Sequence, residues 1–210
     1  MKKTDWDSYY LHPYKTATYS RSITTNKLLR LLKKFTHQFG YEAKIAELGG
    51  ANSCFYEAIN NELSPVKYLI VDNNHTGLDK TKTRLNKADN IEFKYEDILN
   101  TVEVNEKFDI VFSVGLIEHF SLEETKKCIA AHFCYLKSKG TCIISFPTPT
   151  WLYKITRKCA ELLGLWIFFD ERPLQMEEVL KEMMKYGTVV HRSITWPIFL
   201  TQGIIVIIKN

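Results

Sequence analysis

Long apolar runs are missing from this sequence. The longest, Leu162 to Phe169, falls well short of the ~18 residues that a membrane-spanning helix needs. Met1-Lys2-Lys3 leads straight into Thr4-Asp5-Trp6-Asp7, without the apolar segment of a secretory signal, so a soluble, cytoplasmic protein is expected. The cysteines are five, odd in number and without a C-x-x-C pair, which predicts reduced thiols and no disulfide framework. The six histidines, His12, His37, His75, His119, His132 and His191, are scattered without ligand spacing, so no metal is expected. Charge runs are absent as well. The 28 Lys and Arg and 24 Asp and Glu are dispersed along the chain, and a net charge of +4 fits a solvated surface better than a nucleic-acid groove. What remains is 210 residues, 45% hydrophobic, enough for one globular domain that folds unaided.

The chain is organised around Lys44 to Ser53, KIAELGGANS. A short apolar run carries Glu47 near its end and breaks into Gly49, Gly50, Ala51 and Asn52 before a helical pattern begins. Strand, small-residue turn and helix start form an arrangement in which backbone N–H groups can approach a ligand closely. Val66 to Val71 is a continuous apolar run ending in Asp72, as expected of a buried parallel strand that delivers a carboxylate to the sheet's C-terminal edge. Asp72 lies about 20 residues past the turn, the position of a ribose-binding acid in nucleoside-cofactor folds. Ile91 to Ile98 alternates and ends in Glu96 and Asp97.

Phe108 to Val114 is a fourth strand, followed by Gly115-Leu116-Ile117-Glu118-His119-Phe120. Ser121 with Glu124 makes a capping box for the next helix. TCIISF is a fifth strand, and helices over about 151–164 and 174–186 precede two closing strands, about 188–196 and 203–209. Upstream, Met1 to Thr25 reads as an arm and about Asn26 to Phe39 as a helix ended by Gly40. Strands alternating with helices predict a single α/β sandwich around a mostly parallel sheet.

These residues resemble the class I S-adenosylmethionine-dependent methyltransferases. ELGGANS stands where the family has its acidic glycine turn, VDNN where it has the ribose acid, and YEDIL where it has the adenine-contacting acid; FDIVFSVGLIEHF resembles its fourth strand and following loop. The resemblance implies a Rossmann-like three-layer sandwich whose mostly parallel seven-stranded sheet has an antiparallel last strand. It implies S-adenosyl-L-methionine as cofactor, contacted by Glu47, Gly49, Gly50, Asp72, Asn73, Asp97, Ile98, Ser113 and Val114. Ala51 and Ser53 replace the second and third family glycines, and Ala51 fits only if its φ is negative.

The resemblance further implies that residues 41–210 form the methyltransferase domain, with an acceptor-site insertion at about 148–175. Residues 1–40 are an arm and helix that either pack on the surface or close as a lid, with Tyr14, Tyr19 and Arg21 as lid or substrate residues. Glu118 and His119 fall where the family's loop passes the transferred methyl group, so His119 is either a catalytic base or a packed structural histidine. The expected activity is methyl transfer to a hydroxyl or amine of a small molecule or glycan. The aromatic, basic insertion also admits contact with a membrane surface. Alternatives are a cofactor-binding but non-catalytic partner protein and a nucleic-acid methyltransferase. The latter would want an Asp/Asn-Pro-Pro-aromatic loop where SVGLIEHF stands. A nicotinamide oxidoreductase would want G-x-G-x-x-G, which Gly49 to Ser53 does not supply.

Overall fold

A computed structural model describes residues 3–11, 17–36, 42–195 and 200–210, with side chains of 17–20 excluded. Tyr14, Gly40 and Pro197 lie outside the described residues, as does the side chain of Tyr19.

The apolar runs form strands β1 (Lys44–Leu48), β2 (Lys67–Asp72), β3 (Ile91–Tyr95), β4 (Phe108–Val114), β5 (Leu136–Pro147), β6 (Gly187–Thr195) and β7 (Gln202–Lys209). They make one sheet in the order β3-β2-β1-β4-β5-β7-β6. The β1–β2, β1–β4, β2–β3 and β4–β5 pairs are parallel, and β7 runs antiparallel to both β5 and β6. The expected sheet, with its reversed last strand, is the one observed.

Side chains alternate between the two faces of the strands, and each face is buried under helices. Ile45, Ile70, Ile110 and Ile143 pack with Leu28, Leu32, Tyr56 and Ile59 from α2 (Ala17–Thr36) and α3 (Tyr56–Leu63), and with Leu78 from α4 (His75–Arg84). Ala46, Leu48, Val71 and Val111 pack on the other face with Cys128, Ile129 and Phe133 of α5 (Leu122–Tyr135), and with Val179 and Met183 of α7 (Met176–Met183). The predicted capping box starts α5, Ser121 and Glu124 each serving the other's backbone amide. All five cysteines are free. Among the described residues, no helix is long and apolar enough to cross a membrane.

Three elements differ from expectation. A short helix α1 (Trp6–Leu11) occupies the predicted arm, and α2 begins at Ala17 instead of near Asn26. The apolar period marks only the buried half of α2. Its earlier turns carry polar residues such as Thr24, which donates to Gln202 Oε1 at 3.0 Å at the end of β7. The third strand also stops early, at Tyr95, and a 3-10 turn over Ile98–Asn100 follows.

Candidate active site

The chain departs from β1 to opposite sides of the sheet, toward β2 and toward β4, and the crevice outside these C-terminal strand ends is where open α/β sheets bind ligands. A cavity of about 1440 Å³ lies there. Gly49 turns out of β1 at φ +73, and a Cβ on it would stand 2.7 Å from Leu116 Cδ1. Only glycine suits both that backbone and that approach. Gly50 passes close to Glu47, where a Cβ would be 2.9 Å from the carboxyl carbon. The non-glycine residues with positive φ are Ser64 and Lys139 among the described residues, so Ala51 meets the condition set for it.

Glu47 is buried, and its Oε2 accepts hydrogen bonds from Tyr68 Oη at 2.6 Å and Ser53 Oγ at 2.7 Å. Burial outweighs these donors and pushes the carboxyl up to about 7. Asp72 ends β2 with Oδ2 accepting from Ala51 N and Oδ1 from Asn74 N, both at 2.9 Å. Burial raises its pKa despite these amides and that of Asn73, and one carboxylate lone pair stays open. Asp97 caps the 3-10 turn through Leu99 N at 3.0 Å and Asn100 Nδ2 at 2.9 Å. Asn73 and Val114 line the cavity too.

Two expected cofactor residues do not reach it. Ile98 is buried in the core and Leu99 faces the cavity instead, because the early end of β3 shifts which residue turns outward. Ser113 is fully buried beneath β4 and bonded to His132 Nε2 at 2.8 Å.

The other end of the cavity gathers charge. His119 Nδ1 meets Asp170 Oδ1 at 3.1 Å, and His119 Nε2 lies 3.9 Å from Glu118 Oε1. Burial works to lower the pKa of His119. The Asp170 hydrogen bond and the neighbouring carboxylates overcome it, and the net result lies above the ordinary imidazole value. Asp170 is held below the usual carboxylate range: partial burial is outweighed by its bonds to His119 and Thr4. Glu118 is buried, and that burial pushes it up to about 8. Glu171 accepts from Tyr153 Oη and lies 3.6 Å from Arg157 Nη1.

Lys3, Thr4, Trp6, Tyr9 and Tyr10 of the N-terminal segment line this cavity. Trp6 stands edge-on to His119, centroids 4.8 Å apart, and tilted against Phe168 at 5.9 Å. Thr4 bonds Asp170 on one side. On the other, Asp7 accepts from Asn74 Nδ2 at 2.8 Å, and Lys80 Nζ reaches Tyr10 O at 2.6 Å. Arg21 donates to Tyr9 Oη at 2.9 Å and lines the cavity. Sequence reasoning missed Trp6, Tyr9 and Tyr10 as cavity-lining residues; their aromatic spacing in the arm was the available signal. On the outer surface, α6 (Trp151–Leu162) exposes Trp151, Ile155 and Leu162 beside the exposed Lys154 and Lys158.

A family model described as a methyltransferase domain matches residues 45–140, the stretch from β1 into β5 that carries the glycine turn, Glu47, Asp72, Asp97 and Glu118-His119. Over residues 45–140 the chain is similar to that methyltransferase domain, and its fold is the Rossmann-like methyltransferase fold. Solved structures share this methyltransferase fold at low identity. The N-methyltransferase NodS from Bradyrhizobium japonicum WM9, in complex with S-adenosyl-L-homocysteine, is 13% identical with a TM-score of 0.66, over 88% of this chain and 87% of that one. The magnesium protoporphyrin IX methyltransferase from Synechocystis PCC 6803, with bound S-adenosylhomocysteine, is 13% identical with a TM-score of 0.71, over 91% and 84%. A chain from the Haloferax volcanii complex of a methyltransferase with its Trm112 activator is 11% identical with a TM-score of 0.75, over the whole of both chains. No curated protein matches at a significant level.

Proposed function

We propose that this protein is an active S-adenosylmethionine-dependent methyltransferase whose acceptor is a hydroxyl or amine of a small molecule or glycan. The observation that carries the reading is a single cavity whose one end is ringed by Glu47, Asp72 and Asp97 and whose other end holds His119 and Asp170.

The cradle fits the cofactor's parts. Gly49 and Gly50, whose amides donate to Val71 O, let the backbone pass close to the methionyl end without a Cβ, with Glu47 bracing the turn or accepting the ammonium. Asp72, with Asn73 beside it, has an open lone pair for a ribose hydroxyl. Asp97 accepts from the adenine amino group, Leu99 takes the packing role first given to Ile98, and Val114 lines the floor, while Ser113 supports the strand from below. S-adenosylmethionine supplies a methyl group already activated by its sulfonium. The protein's share is to align the acceptor, exclude water and receive charge or a proton.

Glu118 and His119 face the acceptor, and Asp170 fixes the His119 ring through Nδ1, leaving Nε2 for the reacting side. Residues 3–11 with Arg21 act as the lid, and Tyr14 and Tyr19 belong to the same segment of chain. Residues 148–175 shape the acceptor side, with Arg157 over the Trp166 ring at 5.0 Å. The outward apolar and basic face of α6 supports delivery of an apolar acceptor from a membrane surface.

Calorimetric titration with S-adenosylhomocysteine and with NAD tests the cofactor. Saturable binding of the first and none of the second is expected, and the reverse pattern overturns the reading. Transfer of labelled methyl from S-adenosylmethionine to a panel of hydroxyl and amine acceptors tests the activity.

A further inference from the structure

Glu118, His119 and Glu171 come from two segments separated by α5, β5 and α6, yet one ligand atom from each lies within 4.8 Å of the others. The surrounding bonds aim them. Asp170 holds His119 by Nδ1, so Nε2 is the nitrogen left for a ligand, and a carboxylate on the far ring nitrogen is how proteins orient metal-binding histidines. Tyr153, itself buried, donates to Glu171. Arg172 N donates to Glu118 O at 2.8 Å and ties the two segments together.

A separate observation points to an occupant. Glu118 Oε2 is buried with no hydrogen-bond partner among the described residues, on a side chain 3% exposed. A buried carboxylate oxygen without a donor or cation is costly. In the described ion pairs, the cations facing Glu118, Asp170 and Glu171 are His119 and Arg157, so three carboxylates meet two basic groups.

We propose that Glu118, His119 and Glu171 bind a divalent cation at the acceptor end of the cavity. Two carboxylates and one imidazole suit Mn²⁺, Mg²⁺ or Zn²⁺. Three protein ligands leave coordination positions open on the cavity side, where an acceptor oxygen would complete the shell. The cation site stands on this geometry alone. Its role rests on the methyltransferase reading, which it narrows from hydroxyl or amine to hydroxyl acceptors, with His119 serving as a ligand when the ion is bound.

Mn²⁺ titration of the full chain, followed by electron paramagnetic resonance and calorimetry with Mg²⁺ and Zn²⁺ as competitors, tests the site. Saturable binding is expected in the wild type, weakened about tenfold or more in Glu118→Gln and in Glu171→Gln. The control Glu123→Gln, on the exposed face of α5, should bind as the wild type does. Circular dichroism of each variant checks folding, and S-adenosylhomocysteine titration checks the cofactor end. Absence of saturable Mn²⁺ binding, or equal binding by wild type and folded Glu118→Gln, overturns the cation site. If S-adenosylhomocysteine still binds in that case, the methyltransferase reading survives; Mn²⁺ binding without any S-adenosylhomocysteine binding removes that reading and keeps the cation.

Discussion

The two ends of the cavity are built differently. At the proposed cofactor end, Asp72 and Asp97 are held by backbone amides, Asp72 by those of Ala51 and Asn74 and Asp97 by that of Leu99, while Glu47 is held by the hydroxyls of Ser53 and Tyr68. At the proposed acceptor end, the charged groups are held by other side chains, Glu171 by Tyr153 and, across longer stretches of sequence, His119 by Asp170 and Asp170 by Thr4. A site made from strand ends is fixed once the sheet forms. One made from distant side chains depends on the insertion and the arm docking correctly, so substitutions at the two ends should separate binding from turnover.

The largest effect is expected at the acceptor end. His119→Ala should lower turnover by roughly 10²–10⁴-fold while calorimetric affinity for S-adenosylhomocysteine stays near wild type. A wild-type rate in that variant would remove His119 from the reaction. Asp72→Ala should do the opposite and weaken S-adenosylhomocysteine by about 1.5–3 kcal/mol, on the order of 10–100-fold. Unchanged affinity would mean that the cofactor end is not where it is drawn.

A pH series sharpens the contrast. In metal-free protein the folded state keeps a proton on Glu118 up to about 8, whereas the unfolded chain releases it in the ordinary carboxylate range. Stability from this group is therefore present at low pH and lost as pH rises to about 8. Glu47 acts in the same direction up to about 7. His132, whose pKa burial lowers to about 4, acts oppositely: stability is lost as pH falls from the imidazole range toward 4. Glu118→Gln should accordingly gain thermal midpoint relative to wild type between about pH 5 and pH 8, and a constant offset across that window would show that Glu118 does not titrate there. The smallest change is expected from Trp6→Ala, which loses the edge contact with His119, worth about 0.5–1.5 kcal/mol. A few-fold faster release of S-adenosylhomocysteine in stopped flow would mark residues 3–11 as a lid, and an unchanged rate would make them surface packing.

Glu47, Asp72 and Asp97 were readable because an acid closing an apolar run is a signal contained in a few consecutive residues. Ile98 was misplaced for a related reason: strand periodicity cannot say where a strand stops, and the end of β3 at Tyr95 made Leu99 the cavity residue. Ser113 failed because adjacent strand residues face opposite ways, and its face holds His132. Scattered histidines gave no ligand spacing, although His119 comes together in the fold with Glu118 and Glu171.

By itself the sequence determined the alternation of strands and helices and the glycine turn with its acids, since each depends on neighbours along the chain or on hydrophobic period; the reversal of the last strand was implied only by the family resemblance. Tertiary structure alone decided that α1 lines the cavity and that Asp170 and Glu171 stand beside His119. Those contacts join residues from the start of the chain, from its middle and from the segment after α6, and no local pattern encodes a distance across a fold.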